Sequence, residues 1–201
     1  MEEVTLSSKS DGKYSEKGST FFALAFPVSD AAGVKTILQQ LKEQYPDASH
    51  ICYGYRIKVN NQLDEFATDA GEPKGSSGIP IINVLKRKHL VNVVIFVIRY
   101  FGGSKLGIPG LIHAYGRAAE NAIKPGNLKK WILYQQISIC YNYDLQKKVD
   151  SLFQQFAINI IKIEFGESIK TNMEVEVEKT ESLAQDLREI SNGAIRIKQI
   201  S

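Results

Sequence analysis

The segment from Val91 to Tyr100 constrains the fold of this chain more than any other part of the sequence. It is apolar at positions that would face both sides of a strand, and such continuous runs are typical of the centre of a sheet. A glycine-rich loop follows it, and Pro109 then opens a helix with apolar residues along one side. The sequence therefore predicts a buried central strand that leads through a glycine loop into a helix.

Strands and helices alternate around this segment in the first part of the chain. The predicted elements are a strand over 19–28, a helix capped by Ser29 and ended by Pro46, a strand over 50–59, a strand over 62–68 joined to it by a turn at Asn60–Asn61, a loop over 69–78 and a helix from Pro80 to Lys88. Residues 1–16 are polar and rich in turn-forming residues, so we expect a flexible arm there.

Alternate residues of the strand over 50–59 divide into two groups of different chemistry. The odd positions, from Ile51 to Val59, are apolar or aromatic and are expected to join the core. The even positions include His50, Cys52 and Arg56, and we expect this second face to be open.

The second part of the chain has the order of a ferredoxin-like domain. The predicted elements are a strand (130–142), a helix (144–156), two strands (158–165 and 170–178), a helix (180–190) and a strand (194–200), which is βαββαβ. Pro125–Asn127 is the candidate linker. We therefore predict an α+β protein with an arm (1–16), an N-terminal domain (17–125) and a C-terminal domain (129–201).

The net charge of +3 is unevenly distributed along a chain whose composition, 43% apolar and 23% charged, excludes disordered and low-complexity proteins. The 47 residues from Pro73 to Ala119 carry seven Lys and Arg and no Asp or Glu, whereas residues 129–201 have ten bases and ten acids. Phosphate contacts need clustered cations unopposed by carboxylates, so the acid-free segment favours a nucleic-acid surface. The basic run Lys86–Lys88 also suits a helix C-terminus, where it interacts with the helix dipole.

Other sequence features bear on the compartment and on cofactors. Cys52 and Cys140 lie 88 residues apart, which gives neither a disulfide framework nor a metal-ligand cluster. The N-terminus lacks the basic start and apolar run of a signal peptide, and no apolar run is long enough to cross a membrane. We expect a soluble, cytoplasmic protein without metal or cofactor.

The glycine loop after the central strand has the general design of an anion site. Helix N-termini present free N–H groups and partial positive charge, and Arg99 and Lys105 would add full charges. The loop is not a phosphate-binding P-loop, and its glycine spacing is not that of a dinucleotide fingerprint. The same glycines would also serve a tight turn beside a packed sheet, so both interpretations remain open.

Several polar residues are candidates for catalysis. Asp69 and Glu72 could act in acid–base chemistry, although acids in glycine loops often bond nearby backbone N–H groups instead. His50 and Cys52 would share a strand face, without an identifiable third group to orient them. Ser76 and Ser77 lie between glycines, but not in the pattern of a nucleophile elbow.

Several long motifs resemble the Impact/YigZ family. They are Lys17-Gly-Ser-Thr-Phe-Phe, His50-Ile-Cys-Tyr-Gly-Tyr-Arg, Asp69-Ala-Gly-Glu-Pro-Lys-Gly-Ser-Ser-Gly, Asn92-Val-Val-Ile-Phe-Val-Ile-Arg-Tyr-Phe-Gly-Gly-Ser-Lys-Leu-Gly and Gly110-Leu-Ile-His-Ala-Tyr. Together they cover residues 17–124. The remainder resembles the family's bacterial C-terminal domain, which is similar to the last domain of elongation factor G.

The resemblance implies a ribosomal-protein-like α/β sandwich for the N-terminal domain and a link to translation. Eukaryotic relatives regulate translation during amino-acid starvation by competing for an activator of a stress kinase. They carry an additional partner-binding domain, and that mechanism is therefore not carried over to this chain. Family members usually have a glycine-rich step after Lys-Leu-Gly, where this sequence has Ile108 and Pro109. Pro109 removes one N–H donor from the start of the helix.

Three hypotheses follow for the function. The first is a non-enzymatic, translation-associated regulator that binds RNA or a ribosomal site through a basic, glycine-rich face; its contacts would be Arg56, Lys74, Arg99, Gly102, Gly103, Lys105, Gly107 and His113. The second is an enzyme that acts on a small phosphorylated or carboxylated substrate with His50, Asp69, Glu72 and Lys105. In the third, the open sheet face of the C-terminal domain docks a protein partner.

Overall fold

The computed structural model describes residues 2–59 and 62–200, so the turn predicted at Asn60–Asn61 lies outside the described residues. The chain folds into two compact units that divide between Trp131 and Ile132. None of the helices in the described ranges is long and apolar enough to cross a membrane.

A five-stranded antiparallel sheet forms the centre of the first unit. The strands of this unit are β1 (Val4–Leu6), β2 (Ser10–Glu16), β3 (Ser19–Pro27), β4 (His50–Val59), β5 (Gln62–Thr68), β6 (Val93–Tyr100) and β7 (Leu128–Lys130), and its helices are α1 (Ala31–Gln44), α2 (Gly78–Arg87) and α3 (Gly107–Ala122). The sheet order is β2-β3-β6-β4-β5, while β1 pairs with β7 and, through a single parallel bridge from Val4 to Leu90, with the segment before β6. Every residue of β6 from Val93 to Arg99 is buried, which confirms the prediction of a central strand.

Helices cover both faces of this sheet, and each face has its own apolar core. On one face α1 packs Val34 and Leu41 against residues such as Phe96. On the other face α2 and α3 pack residues such as Ile81 and Ala118 against the sheet. Asp30, rather than Ser29, caps α1, because its carboxylate accepts a hydrogen bond from the Gly33 N–H at 2.7 Å.

The sequence prediction that the second face of β4 is open is wrong. Cys52 is fully buried and belongs to the core beneath α2 and α3. Arg56 and Lys58 are each partly buried and form ion pairs with Glu65 and Glu3. The cause lies in β6, since a central strand that is apolar on both faces requires cover on both, and the helices that supply it also extend over β4.

The prediction of a flexible arm at residues 1–16 is also wrong. Residues 4–6 form β1, in which Leu6 is buried, and residues 10–16 form the edge strand β2. The inward position of β2 that lies beneath α3 is Gly12, where a Cβ would be 2.4 Å from the backbone of Asn121 and of Ala122. Because a glycine occupies this position, β2 lacks the apolar alternation by which a half-buried strand is recognised in a sequence.

The second unit has the predicted βαββαβ order. Its elements are β8 (Tyr134–Tyr141), α4 (Gln146–Gln155), β9 (Asn159–Phe165), β10 (Ile169–Glu176), α5 (Thr180–Ile190) and β11 (Lys198–Gln199). The strands form an antiparallel sheet in the order β11-β8-β10-β9, and the core includes Ile137, Met173, Val149 and Leu187. The two-domain α+β fold is therefore confirmed.

Replacing Gly12 by Ala is expected to destabilise the first unit by ~1–3 kcal/mol, because the added methyl group overpacks the contact between β2 and α3. Gly126→Ala is the matched control, since a Cβ at residue 126 would have no atom within 4 Å. Urea unfolding followed by the fluorescence of Trp131, the sole tryptophan, measures the difference. Equal unfolding midpoints for the two variants would contradict the packing of β2 beneath α3.

Candidate functional site

Several chain segments meet at one end of the five-stranded sheet. The strand register places Glu16 opposite Ser19, Thr20 opposite Tyr100 and Arg99 opposite His50. The β2–β3 turn, the start of β4, the β5–α2 loop and the β6–α3 loop therefore lie at this end, together with the N-termini of α2 and α3. We call this region the loop end.

A cavity of about 370 Å³ opens at the loop end, beside the start of α3. Its polar lining includes His50, Glu72, Arg99 and Lys105, and its apolar lining consists of Pro73, Phe101, Leu106, Ile108 and Leu111. Three of the four residues proposed for an enzyme, His50, Glu72 and Lys105, are thus brought together. The fourth, Asp69, is not part of the lining.

The deepest polar group of the cavity wall is a buried ion pair. Arg99 Nη1 donates a hydrogen bond to Glu72 Oε1 at 2.5 Å, and the side chains are 8% and 3% exposed. Tyr115 of α3 donates a second hydrogen bond to the same oxygen at 2.8 Å. Burial, together with the nearby Cys52 and Glu72, raises the pKa of the Tyr115 hydroxyl, which therefore stays protonated. Glu72 thus serves as a fixed acceptor, and not as a free acid or base.

The carboxylate of Asp69 organises the β5–α2 loop. It accepts hydrogen bonds from the backbone N–H groups of Gly75, Ser77 and Gly78 and from the Ser77 hydroxyl, at distances between 2.8 and 3.0 Å. Partial burial alone would raise the pKa of Asp69, but these hydrogen bonds outweigh it and hold the pKa below its usual range. The sequence left two roles open for Asp69, namely acid–base chemistry and bonding of nearby backbone N–H groups. The structure shows the second, in which Asp69 fixes the turn.

The thiol of Cys52 lies in the interior, and His50 is oriented by the backbone. Cys52 Sγ is 3.0 Å from the carbonyl oxygen of Asp69, and burial raises the pKa of the thiol to about 11. His50 Nδ1 is 3.0 Å from the carbonyl oxygen of Ala70. The pair is therefore not a nucleophile with its base, because the thiolate would be strongly disfavoured.

The glycines of the β6–α3 loop have different roles. A Cβ at Gly102 would lie 1.8 Å from the carbonyl carbon of Gly18, so this glycine allows two loop backbones to touch. Gly103 and Gly107 have positive φ angles of 83° and 71°, and Gly107 lines the cavity at the start of α3. The close backbone approach at Gly102 is therefore a contact between two loops of this protein, and not a contact with a ligand.

Two of the residues proposed as anion contacts lie away from the cavity. Arg56 is paired in register with Val93, six residues along β6 from Arg99, which corresponds to about 20 Å at ~3.3 Å per residue. Arg56 also donates hydrogen bonds to Glu65 and to the carbonyl oxygen of Leu90. His113 is exposed on α3, with its ring against Tyr14. Lys74 follows Pro73 of the cavity wall and is exposed.

The acid-free segment is not an acid-free surface. Carboxylates from elsewhere in the chain neutralise four of its seven bases: Lys86 pairs with Glu65, Lys88 and Arg117 pair with Glu120, and Arg99 pairs with Glu72. Lys74 and Lys105, which lie at the loop end, form no ion pair within residues 2–59 and 62–200.

Sequence reasoning missed the polar role of Tyr115, which it assigned only to the apolar side of α3. Its ring is fully buried against Phe21, and its hydroxyl bonds Glu72. A tyrosine among the apolar residues of a helix face predicts such a polar contact, since a buried hydroxyl requires a hydrogen-bond partner.

A family model described as the Impact N-terminal domain matches residues 17–123, which is more than half of the chain. The chain belongs to the Impact family. A second model, described as a domain of unknown function (DUF1949), matches residues 140–194. The similarity of this second region to the last domain of elongation factor G stays a prediction.

Curated relatives agree with this assignment, and a solved structure shares the fold. The chain is 30% identical to the IMPACT family member YvyE of Bacillus subtilis over 86% of this chain and 79% of that protein. It is 22% identical to the IMPACT family member YigZ of Escherichia coli over 92% and 91% of the two chains. A crystal structure of a hypothetical protein has the same fold, with a TM-score of 0.69, 21% identity and coverage of 100% and 98%.

Asp69→Asn is expected to destabilise the Impact-type unit by ~1.5–3 kcal/mol at neutral pH, because hydrogen bonds to a charged acceptor are lost. The lowered pKa means that the contribution of Asp69 is fully present above the unfolded pKa of about 3.9 and is lost as the pH falls through the folded pKa. Urea unfolding of both proteins at neutral pH and at about pH 3 should therefore show a gap that shrinks in acid. The exposed Asp47→Asn is the control; a pH-independent gap for Asp69→Asn would refute the assigned role.

Thiol labelling is expected to separate the two cysteines. In the folded protein an alkylating reagent at mildly alkaline pH should modify the exposed Cys140 and leave the buried Cys52 intact, because only the thiolate reacts. Mass spectrometry should find one label in the folded chain and two in denaturant, and none in folded Cys140→Ser. Labelling of Cys52 in the folded protein would show that its side of β4 opens to solvent.

Proposed function

We propose that this Impact family member is a non-enzymatic, translation-associated regulator that binds RNA through the loop end of its N-terminal unit. The observation that carries the proposal is the set of lysines Lys17, Lys74 and Lys105 on three neighbouring loops, next to a half-exposed aromatic ring. None of the three forms an ion pair within residues 2–59 and 62–200, and all three are exposed.

An aromatic ring and the N-terminus of α3 complete the proposed interface. Phe101 is 50% exposed and offers a surface on which a base can stack. The N-terminus of α3 supplies partial positive charge and N–H groups at this end of the sheet, whereas the N–H groups at the start of α2 are already bound by Asp69. Exposed lysines with an aromatic platform favour single-stranded RNA, because its bases are free to stack.

Family membership supports the translation-associated part of the proposal, because the resemblance to the Impact family implies a link to translation. Catalysis by His50, Asp69, Glu72 and Lys105 is less well supported. Both carboxylates are engaged in structural hydrogen bonds, Asp69 with a loop backbone and Glu72 with Arg99 and Tyr115. Of these four residues, only His50 and Lys105 would remain for acid–base chemistry.

A partner of the C-terminal unit stays a prediction. The open face of its sheet carries charges of both signs, among them Lys162, Glu164 and Lys170, which pair with one another. Several exposed apolar side chains of this unit lie along the edge strand β9, where Ile161 is 49% and Phe165 is 66% exposed.

Salt-dependent RNA titration tests the proposed function. Binding of a fluorescent single-stranded RNA to the full chain should weaken with salt, and the double variant Lys74→Ala/Lys105→Ala should lower the slope of log K against log salt by ~1.4, since each lost phosphate contact contributes ~0.7. Lys148→Ala, which changes an exposed lysine of α4, is the matched control. Salt-independent binding, or an equal slope for the double variant and the control, would overturn the proposal.

A further inference from the structure

The wall of the cavity at the loop end contains a buried donor without an acceptor. Arg99 is only 7% exposed, and its Nη1 bonds Glu72, but its Nε has no hydrogen-bond partner among the described residues. Leaving such a donor unpaired is costly, because the lost contacts with water are not replaced. The stacking of the guanidinium between the rings of Phe21 and Phe101, 5.6 and 5.5 Å from their centroids, holds it in this position. Arg99 lines the cavity, and a ligand's acceptor atom that reached its Nε–H would satisfy this buried, oriented donor.

Other donors line the same cavity. Lys105 contributes an ammonium group, and His50 contributes a ring whose orientation is fixed by the Ala70 carbonyl. Gly107 and Ile108 begin α3, and no side chain of the described part of the chain caps this 16-residue helix. Pro109 contributes no N–H, so the helix donors available to a ligand are those of the residues on either side of it.

The charge of the lining selects an anion. Glu72 is the one acid that lines the cavity, and Arg99 neutralises it. The charge that remains comes from Lys105 and from the α3 N-terminus, which is equivalent to about +0.5. A ligand with between one and two negative charges would balance it.

We propose that this cavity binds a terminal phosphomonoester attached to an organic group. A phosphomonoester has three terminal oxygens and carries about −1.5 to −2 charge at neutral pH, which matches the set of donors and the charge of the lining. A carboxylate or an internal phosphodiester offers two such oxygens and a single charge. The apolar wall of Pro73, Leu106 and Leu111, with Phe101 at its rim, accommodates a sugar and base in about 370 Å³.

Two kinds of ligand carry a terminal phosphomonoester of this type, namely an RNA strand with a phosphorylated end and a free mononucleotide. Recognition of a strand end rests on the proposed RNA-binding function, whereas binding of a free mononucleotide is independent of it. Isothermal titration calorimetry on the full chain, in buffer without phosphate, distinguishes the sources. The probes are one RNA sequence with a 5′-phosphate, with a 3′-phosphate or with hydroxyls at both ends, and adenosine 5′-monophosphate.

Two variants of the cavity and one control accompany these probes. Arg99→Lys keeps a positive charge opposite Glu72 but removes the Nε donor, and Ile108→Trp fills the cavity from a side chain that is 52% exposed. Ile79→Trp is the control, because Ile79 is equally exposed at the start of α2 and does not line the cavity. Since Ile108 lies at the surface, its replacement tests the cavity even if Arg99→Lys fails to fold.

A phosphorylated strand is expected to bind at least ~10-fold more tightly than the hydroxyl strand, a difference of about 1.4 kcal/mol. This preference should disappear in both cavity variants and persist in Ile79→Trp. Equal affinity for all three strands, with no binding of the mononucleotide, would overturn the cavity site and leave RNA binding intact. Binding of the mononucleotide without any RNA binding would support the cavity site and overturn the proposed function.

Discussion

Glu72 accepts hydrogen bonds from Arg99 and Tyr115 in the interior of the first unit, and the loop end is built around this contact. The three residues come from the β5–α2 loop, the central strand β6 and the helix α3. Removing any one of them would leave a buried charge or hydroxyl unpaired, which is far more costly than losing a surface contact. The position of the loop relative to α3, and with it the cavity, therefore depends on this contact.

Charge in this protein is arranged by the fold and not by the order of residues. The segment without acids looks basic in sequence, yet the sheet brings Glu65 beside Lys86 and Arg56. Glu120 is the first residue after this segment, and it lies on α3 near Lys88 and Arg117. Of the four lysines in this segment, Lys74 and Lys105 form no ion pair among the described residues, and both lie in loops.

Regular patterns made much of the fold predictable. The double-sided apolar run of β6 and the βαββαβ order of the second unit are properties of whole segments, so they are visible without knowing what packs against them. The edge strand β2 was missed because its inward residue is Gly12, and the cover over Cys52 was missed because helices from distant parts of the chain supply it. In the site, the structure brings His50, Glu72 and Lys105 together around one cavity, a convergence that the sequence left open because it depends on how separate segments meet. The sequence did not show that Arg56 and His113 lie away from the cavity. Strand register decides the position of Arg56, and helical phase decides that of His113.

The short pairing of β1 with β7 joins two segments more than a hundred residues apart, Val4–Leu6 and Leu128–Lys130, as antiparallel neighbours. The chain thus enters and leaves the first unit at the same place. A unit closed in this way is a self-contained module, and chain termini that lie together are the arrangement in which domains are most easily appended or inserted. Different second domains could therefore be joined after β7 during evolution without rebuilding the sheet that carries the loop end.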